Sequence, residues 1–495
     1  MRYNWQQEIA VPHATKASRF IIAALAGLAS LAAGAQTASQ PVVADHVQSE
    51  AAWRAGSRLG YAPTPSFAVA AGAAPMAWAL QQIEAAYAAS EQAPAIPPGL
   101  ARFNAPMADL ARDVLAEREA RKVLRAQAVT ASAAMVSSAT TMAGAPRFSR
   151  DMAQSAAAWR LMACSDPALE HPLLARMTEF WFNHLNVSVG KETVRPFVGH
   201  YVVNAIRANA LGRFEDLLLA SARHPAMLFY LDQSQSSNRG LNENYARELM
   251  ELHTMGVAGG YTQVDVHELA RILTGWTVDL PGDEGFRFAD RRHDTGSKRF
   301  MGHTYRSEGQ KEGEDAIRFL ARQPATAQRI AGRLAAFFVA DQPPAALVER
   351  LAATFMATQG DIRAVMRTLV QSPEFWSADH RLFKTPMDFA CSALTAAGGM
   401  PDPQGIAQAL GFLTQAGQPL HGWQTPDGYK TDAATWLAPE ALTRRADFAM
   451  GLARRIPEPA YLKAYLGAAT LARVAREPLP LRTGLMLASP DFMRK

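Results

Sequence analysis

The sequence holds only two cysteines among its 495 residues, Cys164 and Cys391. Two thiolates are too few for the four-cysteine cage of a structural zinc site, so that kind of site is excluded. In an exported chain the two cysteines either form a disulfide or stay as buried free thiols. The sequence carries no distance between them, so both outcomes stay open.

Long basic runs and long apolar runs are missing from the body of the chain. The formal charge is only +5, and no block of lysine and arginine with interleaved aromatic residues occurs, so we expect no nucleic-acid partner. Beyond the N-terminal region, no apolar run reaches the roughly 18 residues that a membrane-spanning helix needs. With 49% hydrophobic residues the chain is able to bury a core, so a globular protein is expected.

The first 35 residues have the pattern of a secretory signal peptide. A basic region that ends at Arg19 precedes an apolar run from Phe20 to Ala33, and the small residues that follow predict cleavage after Ala35. An uncleaved membrane anchor is the alternative, although the apolar run is short for a span. We expect a periplasmic or secreted protein without a stable membrane span after signal cleavage.

Alternating runs of β-branched residues are scarce, whereas apolar residues at three- and four-residue spacing recur throughout, which predicts a large all-α protein. After the signal peptide we expect an N-terminal helical region at 36–145, which ends in a linker rich in Ala, Ser and Thr. A central helical core at 146–385 and a C-terminal helical region at 386–495 follow. Residues 277–312 are predicted to form one long irregular loop with room for a small hairpin.

Two short helices in the middle of the chain carry the densest set of polar side chains. The first begins at Asn242, a good N-cap, and ends at Gly256, where a left-handed stop is expected. Helical spacing gives it an apolar stripe made of Leu241, Tyr245, Leu249 and Leu252. The same spacing places a polar face at Asn244, Arg247, Glu248 and Glu251.

The second helix opens with Thr262 and Asp265, which have the spacing of a capping box. Asp265, Glu268 and Arg271 then recur at three-residue steps. The glycines at 259 and 260 allow a tight reversal between the helices, so the two polar faces are able to meet.

Two carboxylates three residues apart, Glu248 and Glu251, are what acid/base catalysis requires if one is held protonated and the other ionised. Arg247 flanks them. The same charges would equally make a buried ion-pair network that fixes the helix pair. The pattern alone does not choose between these two interpretations.

Twelve histidines are present, but none has the spacing of metal ligands, so no metal site is predicted. The chain also lacks a nucleophile elbow, a phosphate loop and a dinucleotide fingerprint, and it indicates no cofactor. His293 and Asp294 in the long loop either tune a proton donor or form an Asp-capped turn.

The run from Asn242 to Leu249, with Tyr261-Thr262 and the run from Ala270 to Trp276, resembles the bacterial domain of unknown function 1800 family. The resemblance covers roughly Ala51 to Phe492. It implies an exported, mainly helical protein that is often encoded beside a partner of the domain of unknown function 1501 family, itself similar to sulfatases and alkaline phosphatases. The resemblance implies no reaction.

Two functional hypotheses follow. In the first, the protein is a hydrolase or lyase that acts on an extracytoplasmic polymer, with Glu248 and Glu251 as acid/base groups and His184 or His293 as auxiliary catalytic groups. The binding residues expected for it are Asn244, Arg247, Asp265, Glu268, Arg271, Asp294 and Lys298. In the second, the same region is a rigid scaffold that binds or helps to assemble a companion exported protein. A cleft open to the two glutamates favours the first, and a sealed network favours the second.

Overall fold

The computed structural model describes residues 42–64, 67, 74–131, 147–280, 282, 284–399 and 402–495, with backbone alone at 42–49 and 128–131. The predicted signal peptide lies outside the described residues. Residues 132–146, which belong to the predicted Ala/Ser/Thr-rich linker, also lie outside the described residues.

Helices dominate the described chain, so the predicted all-α fold is confirmed. Those that precede the central pair are α1 (Val42–Leu59), α2 (Pro75–Ser90), α3 (Met107–Ala131), α4 (Phe148–Ser165), α5 (Pro172–His184), α6 (Phe214–Arg223) and α7 (Pro225–Tyr230). Between α5 and α6 the chain makes a short helical turn, a π segment at Tyr201–Ile206 and a 3-10 turn at Arg207–Asn209. The spacing of apolar residues alone would predict one continuous helix there.

The central pair consists of α8 (Glu243–Glu248), a π segment at Leu249–His253 and α9 (Gln263–Ile272). The remaining helices are α10 (Gln310–Ala321), α11 (Pro324–Phe338), α12 (Ala345–Ala357), α13 (Ile362–Gln371), α14 (Pro373–Trp376), α15 (Pro386–Ala396), α16 (Pro403–Gln415), α17 (Ala433–Trp436), α18 (Pro439–Ala453), α19 (Ala468–Ala475) and α20 (Leu479–Leu487).

The long loop after α9 contains two small hairpins rather than one. Strand β1 (Trp276–Val278) pairs antiparallel with β2 (Phe286–Phe288), and β3 (Lys298–Phe300) pairs antiparallel with β4 (His303–Tyr305). Met301 and Gly302, which connect β3 to β4, both have positive φ, as a tight two-residue hairpin turn requires.

Two large apolar clusters form the core. The first extends from α1 to α14 and includes Trp181 and Trp276, and the second is built mainly from α15 to α20 and the C-terminal residues. Cys164 of α4 and Cys391 of α15 form a disulfide within the second cluster, which answers the question that the sequence left open. None of the described helices is both long and apolar enough to cross a membrane.

Candidate functional site

The first helix of the central pair is fixed at both ends. The Asn242 side chain accepts a hydrogen bond from the Tyr245 amide at 3.0 Å, and its Nδ2 donates to the Leu231 carbonyl at 2.7 Å, so the predicted N-cap is confirmed. Gly256 has φ of 82° and its amide donates to the Met250 carbonyl at 3.1 Å. The predicted left-handed stop is confirmed as well.

Between these ends the helix widens from α to π after Glu248. The wider turn changes which side chains face the core, because it adds a residue to the turn. Met250 and His253 are buried, while Leu252, which α-helical spacing assigns to the apolar stripe, is only partly buried. Short π segments within helices occur frequently at functional sites.

Glu248 ends the α-helical part and is the least satisfied carboxylate of the pair. It is partly buried, yet within the described chain its oxygens accept no hydrogen bond, and they are not sealed from solvent. Burial and the neighbouring charge of Glu251 raise its pKa, an effect that Arg247 opposes and Asp427 reinforces.

Glu251 lies beside Glu248 and has a cation partner. Its carboxylate is 3.7 Å from the guanidinium of Arg247, and its side chain remains 25% exposed. Burial and the charge of Glu251 raise the pKa of neighbouring Tyr261 to about 12. Both glutamates are therefore open to solvent from one side, which sequence reasoning could not establish.

A third carboxylate, Asp427, approaches Glu248 from the loop at 418–431, which the sequence analysis did not connect with the site. Asp427 accepts hydrogen bonds from Trp423 Nε1 at 2.9 Å and Thr425 Oγ1 at 2.5 Å. Trp423 is one of nine tryptophans in the chain, and no motif spacing connects it or Asp427 with the central helices.

The loop that carries Asp427 is tied to α5 by hydrogen bonds between the Asn183 side chain and the Tyr429 backbone. Asn183 Nδ2 donates to the Tyr429 carbonyl at 2.8 Å, and the Tyr429 amide donates back to Asn183 Oδ1 at 2.7 Å. Gly428 lies between Asp427 and Tyr429 in the chain and has φ of 74°. A Cβ at this position would collide with the Asn183 backbone. These contacts hold Asp427 in place beside the glutamates.

Helix α11 contributes Arg329, whose Nε donates to the Leu252 carbonyl at 3.2 Å, and Arg333, which lies four residues further along the same helix. Burial lowers the pKa of both guanidinium groups, and that of Arg333 falls to about 10. Neither arginine belongs to a motif that the sequence analysis singled out, because α11 reads as an ordinary amphipathic helix.

His184 and His253 lie behind the glutamates, in the protein interior. His184 Nε2 is 3.0 Å from the His253 carbonyl oxygen, and both rings are buried. Burial and the two arginines of α11 lower the pKa of His253 to about 3 and hold that of His184 well below its usual value. Burial therefore favours the neutral form of both imidazoles, and both side chains lie away from solvent.

The polar side chains of α9 have a different environment. The predicted capping box is confirmed, with Thr262 and Asp265 bonded reciprocally. Asp265 also accepts from the Met301 amide at 2.7 Å, and Glu268 from the Arg299 amide at 2.8 Å, so both carboxylates hold the β3–β4 hairpin.

Arg271 completes this α9 network. It lies 2.8 Å from a carboxylate oxygen of Glu268 and 2.8 Å from one of Asp294. Gln263 instead links the two helices, because it accepts from Arg247 at 2.7 Å and donates to Glu243 at 2.9 Å. His267 adds a second link, with Nδ1 at 2.8 Å from the Glu243 carboxylate. Asn244 is exposed, and the structure brings it to none of these contacts.

His293 and Lys298 form a buried cluster with Glu312, a residue that the sequence analysis did not select. Lys298 Nζ is 2.9 Å from the Glu312 carboxylate, His293 Nε2 contacts the same oxygen, and His293 Nδ1 is 2.8 Å from the Thr274 carbonyl oxygen. All three side chains are sealed from solvent. The structure thus separates His293 and Lys298 from Glu248.

The described residues contain no group of three or more His, Cys, Asp or Glu side chains placed to hold a metal ion. Glu248, Glu251 and Asp427 share a region without converging on one point. What the arrangement offers chemically is a protonatable carboxyl beside an ionisable one, with arginines at the edge.

The family described as "Protein of unknown function (DUF1800)" matches residues 54–494. It is the family that the central motif resembles, so that prediction is confirmed. No curated protein and no solved structure matches the chain.

Proposed function

The chain belongs to the DUF1800 family, and from the geometry around its central motif we propose that it is an exported hydrolase or lyase acting on an extracytoplasmic polymer. Glu248 is the general acid and Glu251 the second carboxylate. The observation that carries the proposal is the state of Glu248, which is partly buried, unbonded within the described chain and still open to solvent.

The acid/base assignment follows from the difference between the two glutamates. Burial and adjacent negative charge favour the neutral, proton-bearing form of Glu248. Glu251 instead has Arg247 at 3.7 Å. Pairs of carboxyl groups whose surroundings push their proton affinities apart are the usual arrangement for acid/base work.

A polymer substrate is favoured by the exposed surroundings of the site. Asp427 is exposed and Trp423 partly so, and Trp423 offers a ring face on which a sugar unit can stack. Export is supported by the predicted signal peptide and by the Cys164–Cys391 disulfide, since structural disulfides are typical of oxidising compartments.

The test is an activity screen against polysaccharides, sulfated sugars and peptides with the wild type and Glu248→Gln. We expect Glu248→Gln to lower the rate on the true substrate by about 10²- to 10⁴-fold, as loss of a general acid does. Wild-type activity should fall as pH rises through the raised pKa of Glu248.

Glu243→Gln is the matched control, because Glu243 lies on the same helix and instead binds Gln263 and His267. It should retain wild-type activity. Full activity of folded Glu248→Gln and Glu251→Gln proteins would rule out the catalytic assignment.

A second candidate function is a non-catalytic partner of a companion exported protein, such as one of the domain of unknown function 1501 family. It is favoured by Val257 and Val264, which are 77% and 67% exposed and flank the turn between the π segment and α9. Under this hypothesis Val257→Asp and Val264→Asp should abolish co-elution with the companion in size-exclusion chromatography. An unchanged elution profile would count against it.

A further inference from the structure

A cavity of about 590 Å³ lies among the N-terminal helices, apart from the central pair. Its wall is formed by the end of α1, by α2 with the turn that follows it, and by the segment that leads into α5. Among the described residues, none of α8, α9 or the loop at 418–431 lines it. Pockets that hold small ligands have volumes of about 300–1,000 Å³, so this cavity is large enough for one.

A buried ion pair forms part of the wall. Glu170 and Arg207 are 5% and 3% exposed, and Arg207 Nη2 is 3.2 Å from the Glu170 carboxylate. Arg207 also donates to two backbone carbonyl oxygens, those of Ala89 at 3.0 Å and Gln92 at 2.8 Å. Because the two charges neutralise each other, a charged ligand would lose its hydration here without gaining a counter-ion.

His171 adds an uncharged polar group to the same wall. Burial lowers the pKa of its imidazole to about 4, so the ring is neutral at neutral pH. His171 occupies the N-cap position of α5, yet its side chain makes no capping hydrogen bond, and Nδ1 is buried without a partner among the described residues. The ring therefore keeps unused hydrogen-bonding capacity beside the cavity.

Helix α2 contributes an aromatic ring and an amide. Trp78 and Gln82 are four residues apart and both line the cavity, so they share one face of the helix. Phe67 packs against Trp78, with ring centroids 4.6 Å apart and an interplanar angle of 86°. Leu59 and Leu173 add buried apolar surface to the wall. The cavity thus combines apolar and aromatic surface with a few uncharged polar groups.

We propose that this cavity binds one neutral sugar unit of a polysaccharide, with Trp78 in contact with the ring and Gln82 and His171 bonded to hydroxyl groups. A sugar ring suits the wall because its faces carry C–H groups that pack on an indole and its rim carries hydroxyls that donate and accept. A purely apolar ligand would leave Gln82 and His171 without partners. The inference rests on the proposed function for the choice of a polymer, to which it adds a second, non-catalytic contact.

The test is titration calorimetry of the full chain with cellohexaose, maltohexaose, chitohexaose and the hexamer of galacturonic acid. The wild type should bind at least one of the three neutral hexasaccharides, and should bind the acidic one more weakly. Gln82→Ala should weaken the neutral binding by about three- to tenfold, the value of one lost uncharged hydrogen bond. Gln81→Ala is the matched control, because Gln81 is the exposed neighbour on the same helix and does not line the cavity. It should bind as the wild type does.

A second pair of variants tests the cavity by filling it. Ala93 lines the cavity and is exposed, so Ala93→Trp should block it without disturbing the core and lower the number of hexasaccharides bound per chain by one. Ala88→Trp is the control, because Ala88 is exposed on α2 and does not line the cavity. It should keep the wild-type stoichiometry. Circular dichroism of the four variants verifies that they fold.

The two proposals fail separately. Glu248→Gln should lose turnover and keep the wild-type affinity of this cavity for the neutral hexasaccharide. If Glu248→Gln stays active while Ala93→Trp loses the bound sugar, acid/base catalysis is wrong and the sugar site stands. Three results overturn the sugar site: no binding of any neutral hexasaccharide by the wild type, unchanged binding by folded Gln82→Ala and Ala93→Trp, or equal losses in these variants and their controls. Binding of the acidic hexamer as tight as that of the neutral ones would overturn the neutral class of ligand.

Discussion

The carboxylate of Glu312 is 1% exposed and is held by Lys298 and His293, whereas Glu248 is partly buried and accepts no hydrogen bond from the described residues. Both belong to clusters of Glu, Arg, Lys and His that a sequence pattern cannot tell apart. In the Glu312 cluster one carboxylate oxygen contacts both the lysine and the histidine, and these contacts fix the long loop to α10. Glu248 has no such partner among the described residues, and that difference separates scaffold from candidate site.

The α9 network belongs with the first kind. Asp265, Glu268, Arg271 and Asp294 all find partners on the helix or on the β3–β4 hairpin. Each of the two interpretations of the charge pattern therefore describes part of the motif. The side chains of α9 and the long loop form an ion-pair network, whereas the carboxylates at the end of α8 are accessible to solvent.

The largest expected effect comes from breaking the sealed cluster. Lys298→Met leaves the Glu312 carboxylate buried without its cation, so we expect the free energy of unfolding to fall by about 3–5 kcal/mol. Urea denaturation followed by circular dichroism measures it. Lys311→Met removes only surface ion pairs and should leave the unfolding midpoint in place. Equal loss in both variants would contradict the comparison.

Acid should destabilise the protein through its buried neutral histidines. The unfolded chain binds protons near pH 6.5, while burial lowers the pKa of folded His253 to about 3, so stability is lost as pH falls from 6.5 toward 4. His253 alone should contribute about 2–3 kcal/mol over that window.

The measurement is the free energy of unfolding as a function of pH, with His253→Gln expected to flatten the curve below pH 6.5. The contribution of Glu248 to stability changes with pH in the opposite direction. Because the pKa of Glu248 is raised in the folded protein, this contribution declines as pH rises. A His253→Gln curve as steep as that of the wild type would refute the assignment.

The two caps of the central pair should differ by a smaller amount. Asn242→Ala removes both the cap and the bond to the Leu231 carbonyl and should cost about 1–2 kcal/mol. Thr262→Ala removes an exposed cap and should cost about 0.5–1 kcal/mol. Thermal unfolding of the two variants side by side tests the order, and a reversed order would show that the buried bond adds nothing.

The smallest effect is expected at the proposed site. Glu248→Gln should change the free energy of unfolding by no more than about 0.5 kcal/mol, because no hydrogen bond from the described chain is lost and burial opposes the charge that the substitution removes. Urea denaturation at neutral pH is the measurement. A loss close to that of Lys298→Met would make Glu248 a structural residue.

The sequence by itself determined the local features: the helical class, the cap at Asn242 and the capping box at Thr262. Each depends on apolar spacing or on a side chain that bonds its own helix end, so neighbouring residues suffice to specify it.

Only the tertiary structure decided what the central motif faces. Asp427 acts on the pKa of Glu248 from a position 179 residues further along the chain, and Glu312 closes on Lys298 instead of remaining in a loop. The π segment moves Leu252 off the core face against the α-helical period. Long-range packing selects these contacts, and a charge pattern along one helix does not record which partners packing will bring.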